Sequence, residues 1–212
     1  MTGPLRLIGH APSIYTWTAR LVLAHLRLPY AYAEADPFAG DPVPHPMGRV
    51  PVLRCGERVL YETGAITRHL DRRAGGTMTP ADPWAAARMD QVIGIVDAYA
   101  YWPMVRQVYA HAVFRPAHGE AGDPEAVAAG LAAAGPVLDM LEEIAAEGAA
   151  LGAERTLACA HLAPVLAAFG TAPTGGAMIA ARPALARWAG GLRGWPAFAA
   201  TVDAALPRRG ST

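Results

Sequence analysis

The chain has 212 residues, of which 53% are hydrophobic and 17% charged; this globular balance excludes intrinsic disorder and leaves room for one large domain or two small ones. Eighteen Lys and Arg offset eighteen Asp and Glu, for a formal net charge of zero, so no basic excess exists to attract nucleic acid or an anionic membrane. The two cysteines, Cys55 and Cys159, imply no disulfide framework and fit a reducing compartment.

Leu5-Arg6-Leu7-Ile8-Gly9 is a short run of apolar and β-branched residues, expected to form a buried strand. From Ile14 to Leu28 apolar residues recur at helical spacing (Ala19, Val22, Leu23, Leu26), with Ser13 standing where an N-cap would stand. Pro29 closes that helix. Tyr30 to Ala35 reads as a second strand, and the Pro-, Gly- and Asp-rich stretch from Asp36 to Pro46 reads as a loop. Val50 to Arg54 and Arg58 to Tyr61 flank Cys55-Gly56-Glu57, which predicts a β-hairpin turned by Gly56. Pro51 cannot donate to a ladder and belongs at a strand start or edge. Glu62 to Arg73 predicts a helix with Ala65, Ile66 and Leu70 inward, stopped by Gly75-Gly76.

After Gly76 the pattern changes. Residues 77–83 read as a Pro-containing linker. Beyond it all is predicted helix: Pro83 to Phe114, Pro124 to Glu147, Arg155 to Phe169, and shorter ones at Pro183 to Ala189 and Trp195 to Leu206. The expectation is a small α/β domain over residues 1–76, the linker, and an all-helical domain over residues 84–212. Ala126 to Ala150 is apolar enough to question, but a membrane span would have to bury Asp139, Glu142, Glu143 and Glu147, at roughly 2.5–3.5 kcal/mol for a charge at mid-bilayer. It is therefore expected to be an amphipathic helix. Arg6 and His10 interrupt the apolar start, which does not read as a secretory signal, so a cytoplasmic location is expected.

Three stretches resemble the glutathione transferase superfamily. Ser13-Ile14-Tyr15-Thr16-Trp17-Thr18-Ala19-Arg20 is similar to the serine-containing opening of the first helix in the zeta, tau and related classes. His45-Pro46-Met47-Gly48-Arg49-Val50-Pro51-Val52-Leu53 resembles the family's Asn-Pro-x-Gly-x-Val-Pro-x-Leu. Leu60-Tyr61-Glu62-Thr63-Gly64-Ala65-Ile66 resembles its Glu-Ser-x-Ala-Ile. Each stretch is weak by itself; the order and spacing are what is specific. The resemblance covers nearly the whole chain and implies a thioredoxin-like glutathione-binding domain followed by an all-α helical-bundle domain. It also implies a cytoplasmic homodimer that uses glutathione as co-substrate.

It implies site residues as well. The family's Val-Pro bond is cis, so Val50–Pro51 is expected to be cis, turning the Val50 amide and carbonyl toward the glutathione backbone. Glu62 and Thr63 open a helix whose positive end suits the γ-glutamyl carboxylate, and Glu62 would accept from the ammonium. Ser13 is expected to stabilise the thiolate. A free thiol has a pKa of about 8.5, and lowering it by about two units requires roughly 2.7 kcal/mol. One hydrogen bond to a charged group contributes about 1.5–3 kcal/mol and a helix N-terminus about 0.3–1, so no general base is needed. Tyr15 is the rival donor; its phenol would otherwise face the second substrate or the core.

Some features depart from the family. The Asp36 to Pro46 loop looks shorter than in most relatives, which carry a helix there, so contacts to the glycine end of glutathione would fall to His45 or Arg49 or be absent. In the weaker fourth match, Thr156-Leu157-Ala158-Cys159, cysteine replaces the aspartate of a capping box, which would weaken that helix; Cys159 is then read as a buried small hydrophobe and Cys55 as an exposed turn residue. Tyr99, Trp102 and Arg106 on the long helix, with Tyr15, are candidates for the electrophile pocket. The seven histidines show no ligand spacing, so no metal is expected. The function implied is conjugation of glutathione to an apolar electrophile. A glutathione-dependent maleyl isomerase, a reductive lyase, or a non-catalytic binding protein with this fold are the alternatives.

Overall fold

The computed structural model describes residues 3–152 and 154–206, which form two compact units: the residues up to Thr77 with Pro196–Leu206, and Met78–Trp195.

The first unit is built on a four-stranded sheet of β1 (Leu5–Gly9), β2 (Tyr30–Glu34), β3 (Val52–Cys55) and β4 (Arg58–Tyr61), in the order β2-β1-β3-β4. β1 runs parallel to β2 and antiparallel to β3, and β3 pairs antiparallel with β4. This is the expected thioredoxin-like arrangement. Burial follows position: Leu7, Val52 and Leu53 on the central strands are fully buried, whereas the edge strands β2 and β4 carry mostly exposed side chains. The hairpin turns at Gly56, whose φ of +59° lies where a Cβ is disfavoured. Cys55 is the last residue of β3, opposite Arg58, and is half-buried instead of sitting exposed in the turn; burial pushes its thiol pKa up.

α1 (Ile14–His25) buries Ile14, Trp17, Leu21, Val22 and Leu23. It stops three residues before the expected Leu28. Arg27 takes a left-handed conformation (φ +52°), and the Leu28 amide bonds back to the Leu23 carbonyl. That is the closing pattern usually given to glycine, and an arginine in the position gives no sequence signal. α2 (Thr63–Arg73) turns Ile66, Thr67, Leu70 and Asp71 inward and packs against α1. Ala65, expected inward, is exposed.

α8 (Pro196–Val202) completes this unit, so the C-terminal stretch does not group with the helical half as the reading over residues 84–212 held. The reason is a specific contact. Trp17, 1% exposed, donates its indole N–H to Thr201 Oγ1 at 2.9 Å, and its ring centroid lies 5.3 Å from that of Phe198. A buried indole N–H left without an acceptor would cost about 1–3 kcal/mol.

The second unit is helical. α3 (Pro83–Ile95) is N-capped by Asp82 and continues into a segment of wide, π-type turns, Val96–Phe114, where one regular helix was expected. Pro103 lies inside the segment, and its ring and missing N–H oppose regular i→i−4 bonding. That accounts for a local widening and not for its 19-residue length. α4 (Pro124–Glu147) matches the expected bounds; the Asp123 carboxylate accepts from the Glu125 and Ala126 amides, and Gly148 ends the helix at φ +73°. α5 (Leu157–Phe169) is apolar all round and almost wholly buried, as such a helix must be. Thr156 does not cap it: its hydroxyl donates to the Ala150 carbonyl at 3.2 Å and lies 3.7 Å from the buried Cys159 sulfur. α6 (Pro173–Ala180), not anticipated, and α7 (Pro183–Gly190) follow. The Glu142 carboxylate on α4 accepts from the Ala184 and Leu185 amides at the start of α7. Among the described residues no helix is long and apolar enough to cross a membrane.

Candidate functional site

The sheet register decides what can meet. Ile8 is paired with Val52, and Val52 with Tyr61. One end of the sheet therefore gathers the exit of β1 toward Ser13, the entry to β3 at Val50–Pro51, and the exit of β4 into Glu62–Thr63. Three stretches separated by up to about fifty residues in sequence arrive at one place.

Ser13 is the N-cap of α1. Its hydroxyl oxygen accepts from the Thr16 amide at 3.2 Å, and its own amide donates to the His10 carbonyl at 2.9 Å. Accepting that bond leaves the hydroxyl proton available to donate, and polarises it as a donor. Thr16 is fully buried and also accepts from the His10 amide at 3.3 Å. A Cβ on Gly9 would lie 2.4 Å from Thr16 Cγ2, so only glycine lets the turn close over this threonine. Tyr15 lies in the first turn of α1, half-buried.

The peptide bond between Val50 and Pro51 is cis, as expected; Val50 is half-buried and Pro51 buried. Glu62 is the N-cap of α2 but makes no side-chain capping bond to it. Its side chain is exposed and its φ is +68°, a conformation that costs a residue with a Cβ about 1–3 kcal/mol. Thr63 is buried at 8%. His45 Nδ1 accepts from the Met47 amide at 3.0 Å, which places the ring proton on Nε2, 3.5 Å from Glu62 Oε1. The His45 ring also packs on Tyr61, with centroids 4.8 Å apart. Arg49 is exposed. The Asp36–Pro46 stretch is a loop with no helix.

Tyr99, Trp102 and Arg106 belong to the second unit, on the π-type segment. Tyr99 is 59% and Trp102 62% exposed, and Arg106 is exposed. An aromatic stripe at helical spacing is more often core; here the core role falls to Val96, Ala100, Met104, Val105 and Val108 instead. Among the described residues no group of three or more His, Cys, Asp or Glu is placed to hold a metal ion.

Sequence reasoning missed Glu34. It ends β2 beside Gly9 of β1, and its carboxylate accepts from the Ala11 amide at 3.0 Å and from Tyr32 Oη at 2.8 Å, and faces His10 Nδ1 at 2.8 Å. Partial burial would raise its pKa. Hydrogen bonds from Tyr32, Ala11 and His10 outweigh this and lower it, so the group is a carboxylate at neutral pH. Burial, and then donation to Glu34, push the Tyr32 phenol up. Nothing local in the sequence marks Glu34, because all but one of these partners come from another element.

Residues 7–78 match the family described as Glutathione S-transferase, N-terminal domain. Glutathione S-transferase 3 of Zea mays is 30% identical over 165 residues, covering 77% of this chain and 74% of the maize protein. Glutathione S-transferase F14 of Arabidopsis thaliana is 31% identical over 164 residues, 74% of this chain and 64% of that protein. Among solved structures, glutathione S-transferase III in its apo form superposes with a TM-score of 0.84 at 28% identity, covering 99% of this chain and 100% of that one. The chain belongs to the glutathione S-transferase family, a family of transferase enzymes.

Proposed function

We propose that the chain conjugates the thiolate of glutathione to an apolar electrophilic small molecule. The observation that carries this reading is the convergence of Ser13, Val50–Pro51 and Glu62–Thr63 at one end of one sheet. In this reading the Ser13 hydroxyl donates to the sulfur while the Thr16 amide donates to the hydroxyl. The thiol proton leaves to solvent, and the thiolate forms a carbon–sulfur bond as the leaving group departs with its electron pair, or as an acceptor double bond takes them up. The Val50 main chain aligns the cysteinyl backbone. The start of α2, left without a side-chain cap by Glu62, receives the γ-glutamyl carboxylate together with Thr63, and the Glu62 carboxylate accepts from the ammonium. His45, already committed to the Met47 amide, orients Glu62, which leaves Arg49 as the cation for the glycine carboxylate. Tyr99 and Trp102, large aromatics exposed on the second unit, with Arg106 and Tyr15, are the residues proposed to contact the electrophile.

Titrating the thiolate ultraviolet absorbance of glutathione mixed with the protein tests this. A bound thiol should titrate about two units below the free value of about 8.5. Binding with an unshifted thiol, or no binding, would replace this reading with that of a non-catalytic binding protein. The protein is further proposed to act in the cytoplasm as a homodimer, as its family does; sedimentation equilibrium should give the mass of two chains, and a single-chain mass at micromolar concentration would refute it.

A further inference from the structure

The turn that presents Ser13 has no regular structure of its own. Between Gly9 and Ser13 lie His10, Ala11 and Pro12, and Pro12 has no amide proton to anchor it. From the α1 side the turn is held by Thr16, through the His10 amide and the Ser13 hydroxyl. From the other side it is held chiefly by Glu34, with Asp36 Oδ2 also 4.0 Å from His10 Nε2. The Ala11 amide points between the two carboxylate oxygens, at 3.0 Å and 3.2 Å, and the His10 ring lies against Oε1 at 2.8 Å. The carboxylate is in turn fixed by Tyr32 Oη at 2.8 Å, and the strand beneath it by the Ala35 amide bonding to the Gly9 carbonyl at 2.8 Å.

We infer that Glu34 is a positioning residue for thiol activation: through Ala11 and His10 it sets the height and direction of the turn, and so where the Ser13 hydroxyl aims. The inference rests on the proposed role of Ser13. Its physical basis is the contrast between the small stabilising worth of these bonds and their placement. The Glu34 side chain is 51% exposed, so its contacts are screened and add little to global stability. Yet they bear on the three residues that set the approach of a catalytic hydroxyl, where a displacement of about 1 Å can cost roughly a hundredfold in rate. The Ala11 amide needs an acceptor at that point, and does not need a charge. A glutamine, with one carbonyl oxygen in place of Oε1, supplies it; an alanine does not.

The test is the thiolate titration and turnover of the wild-type protein, Glu34→Ala and Glu34→Gln, with S-methylglutathione binding measured in parallel. S-methylglutathione has no ionisable thiol, so its affinity reports the rest of the site. Glu34→Ala should raise the bound thiol pKa by about one unit and lower kcat/KM near pH 6.5 about fivefold, with S-methylglutathione affinity and the melting temperature nearly unchanged. Glu34→Gln should restore most of the loss. A Glu34→Ala protein with the wild-type thiol pKa would overturn the inference while leaving the Ser13 reading intact. So would a Glu34→Gln protein as impaired as the alanine variant, because charge and not an acceptor would then be the requirement. A wild-type protein that leaves the bound thiol unshifted removes the Ser13 reading and this one with it.

Discussion

Replacing Ser13 with alanine should lower kcat/KM about 5–50-fold near pH 6.5, and the deficit should shrink as the pH rises. A hydrogen bond to a charged group contributes about 1.5–3 kcal/mol, so its loss should return the bound thiol by about one to two pKa units toward 8.5. Below the new pKa only a small fraction of bound glutathione is thiolate; above it the two proteins have the same ionised fraction. The more basic thiolate of the variant is also somewhat more nucleophilic, which narrows the gap further at high pH. Ser13 caps α1, so alanine also costs about 0.5–2 kcal/mol of stability. Ser13→Gly separates the two effects: glycine caps nearly as well as serine but has no hydroxyl. Both variants should lose activity to a similar degree and only alanine should melt earlier. A pH-independent deficit, or unchanged turnover in the glycine variant, would remove Ser13 from the chemistry and favour Tyr15.

Glu62→Gly should separate binding from stability in the opposite sense. Glu62 holds a φ of +68° that glycine adopts without strain. Relief of about 1–3 kcal/mol, less about 0.4–1 for the freer unfolded chain, leaves a net stabilisation of about 1 kcal/mol. The same change deletes the carboxylate proposed to accept from the glutathione ammonium, and the dissociation constant for glutathione should rise roughly 10–100-fold. Glu62→Ala loses the carboxylate and keeps the strain, so it should match glycine in binding and fall below it in melting temperature. Chemical denaturation and calorimetric titration of the three proteins check both. If the glycine variant bound glutathione as the wild type does, Glu62 would be a helix-entry residue with no ligand duty.

Much of the chain was legible in the sequence where its signals are local. β1 is a run of apolar residues, Ser13 an N-cap one residue ahead of a helical pattern, Gly56 a hairpin turn, and Pro124 and Glu147 bound a helix with Asp123 before it and Gly148 after it. The family motifs pointed to Val50, Pro51, Glu62 and Thr63, and the cis bond was expected from them. Where the signal was not local the reading slipped. The left-handed Arg27 ends α1 early. Ala65 turns outward because Thr67 and Asp71 take inward places. The last helix groups with the sheet because Trp17 and Thr201, 184 positions apart, complete one hydrogen bond.

The sequence by itself determined most of the elements and the family, and named most of the residues proposed for the site, since caps, turns and hydrophobic periodicity act over a few positions. Only the tertiary structure decided that Ser13, Val50 and Glu62 share one end of the sheet, because strand register joins residues that no local rule connects. It alone revealed Glu34, whose exposed carboxylate looks like any surface charge until β2 lies beside β1 and brings it to the Ala11 amide.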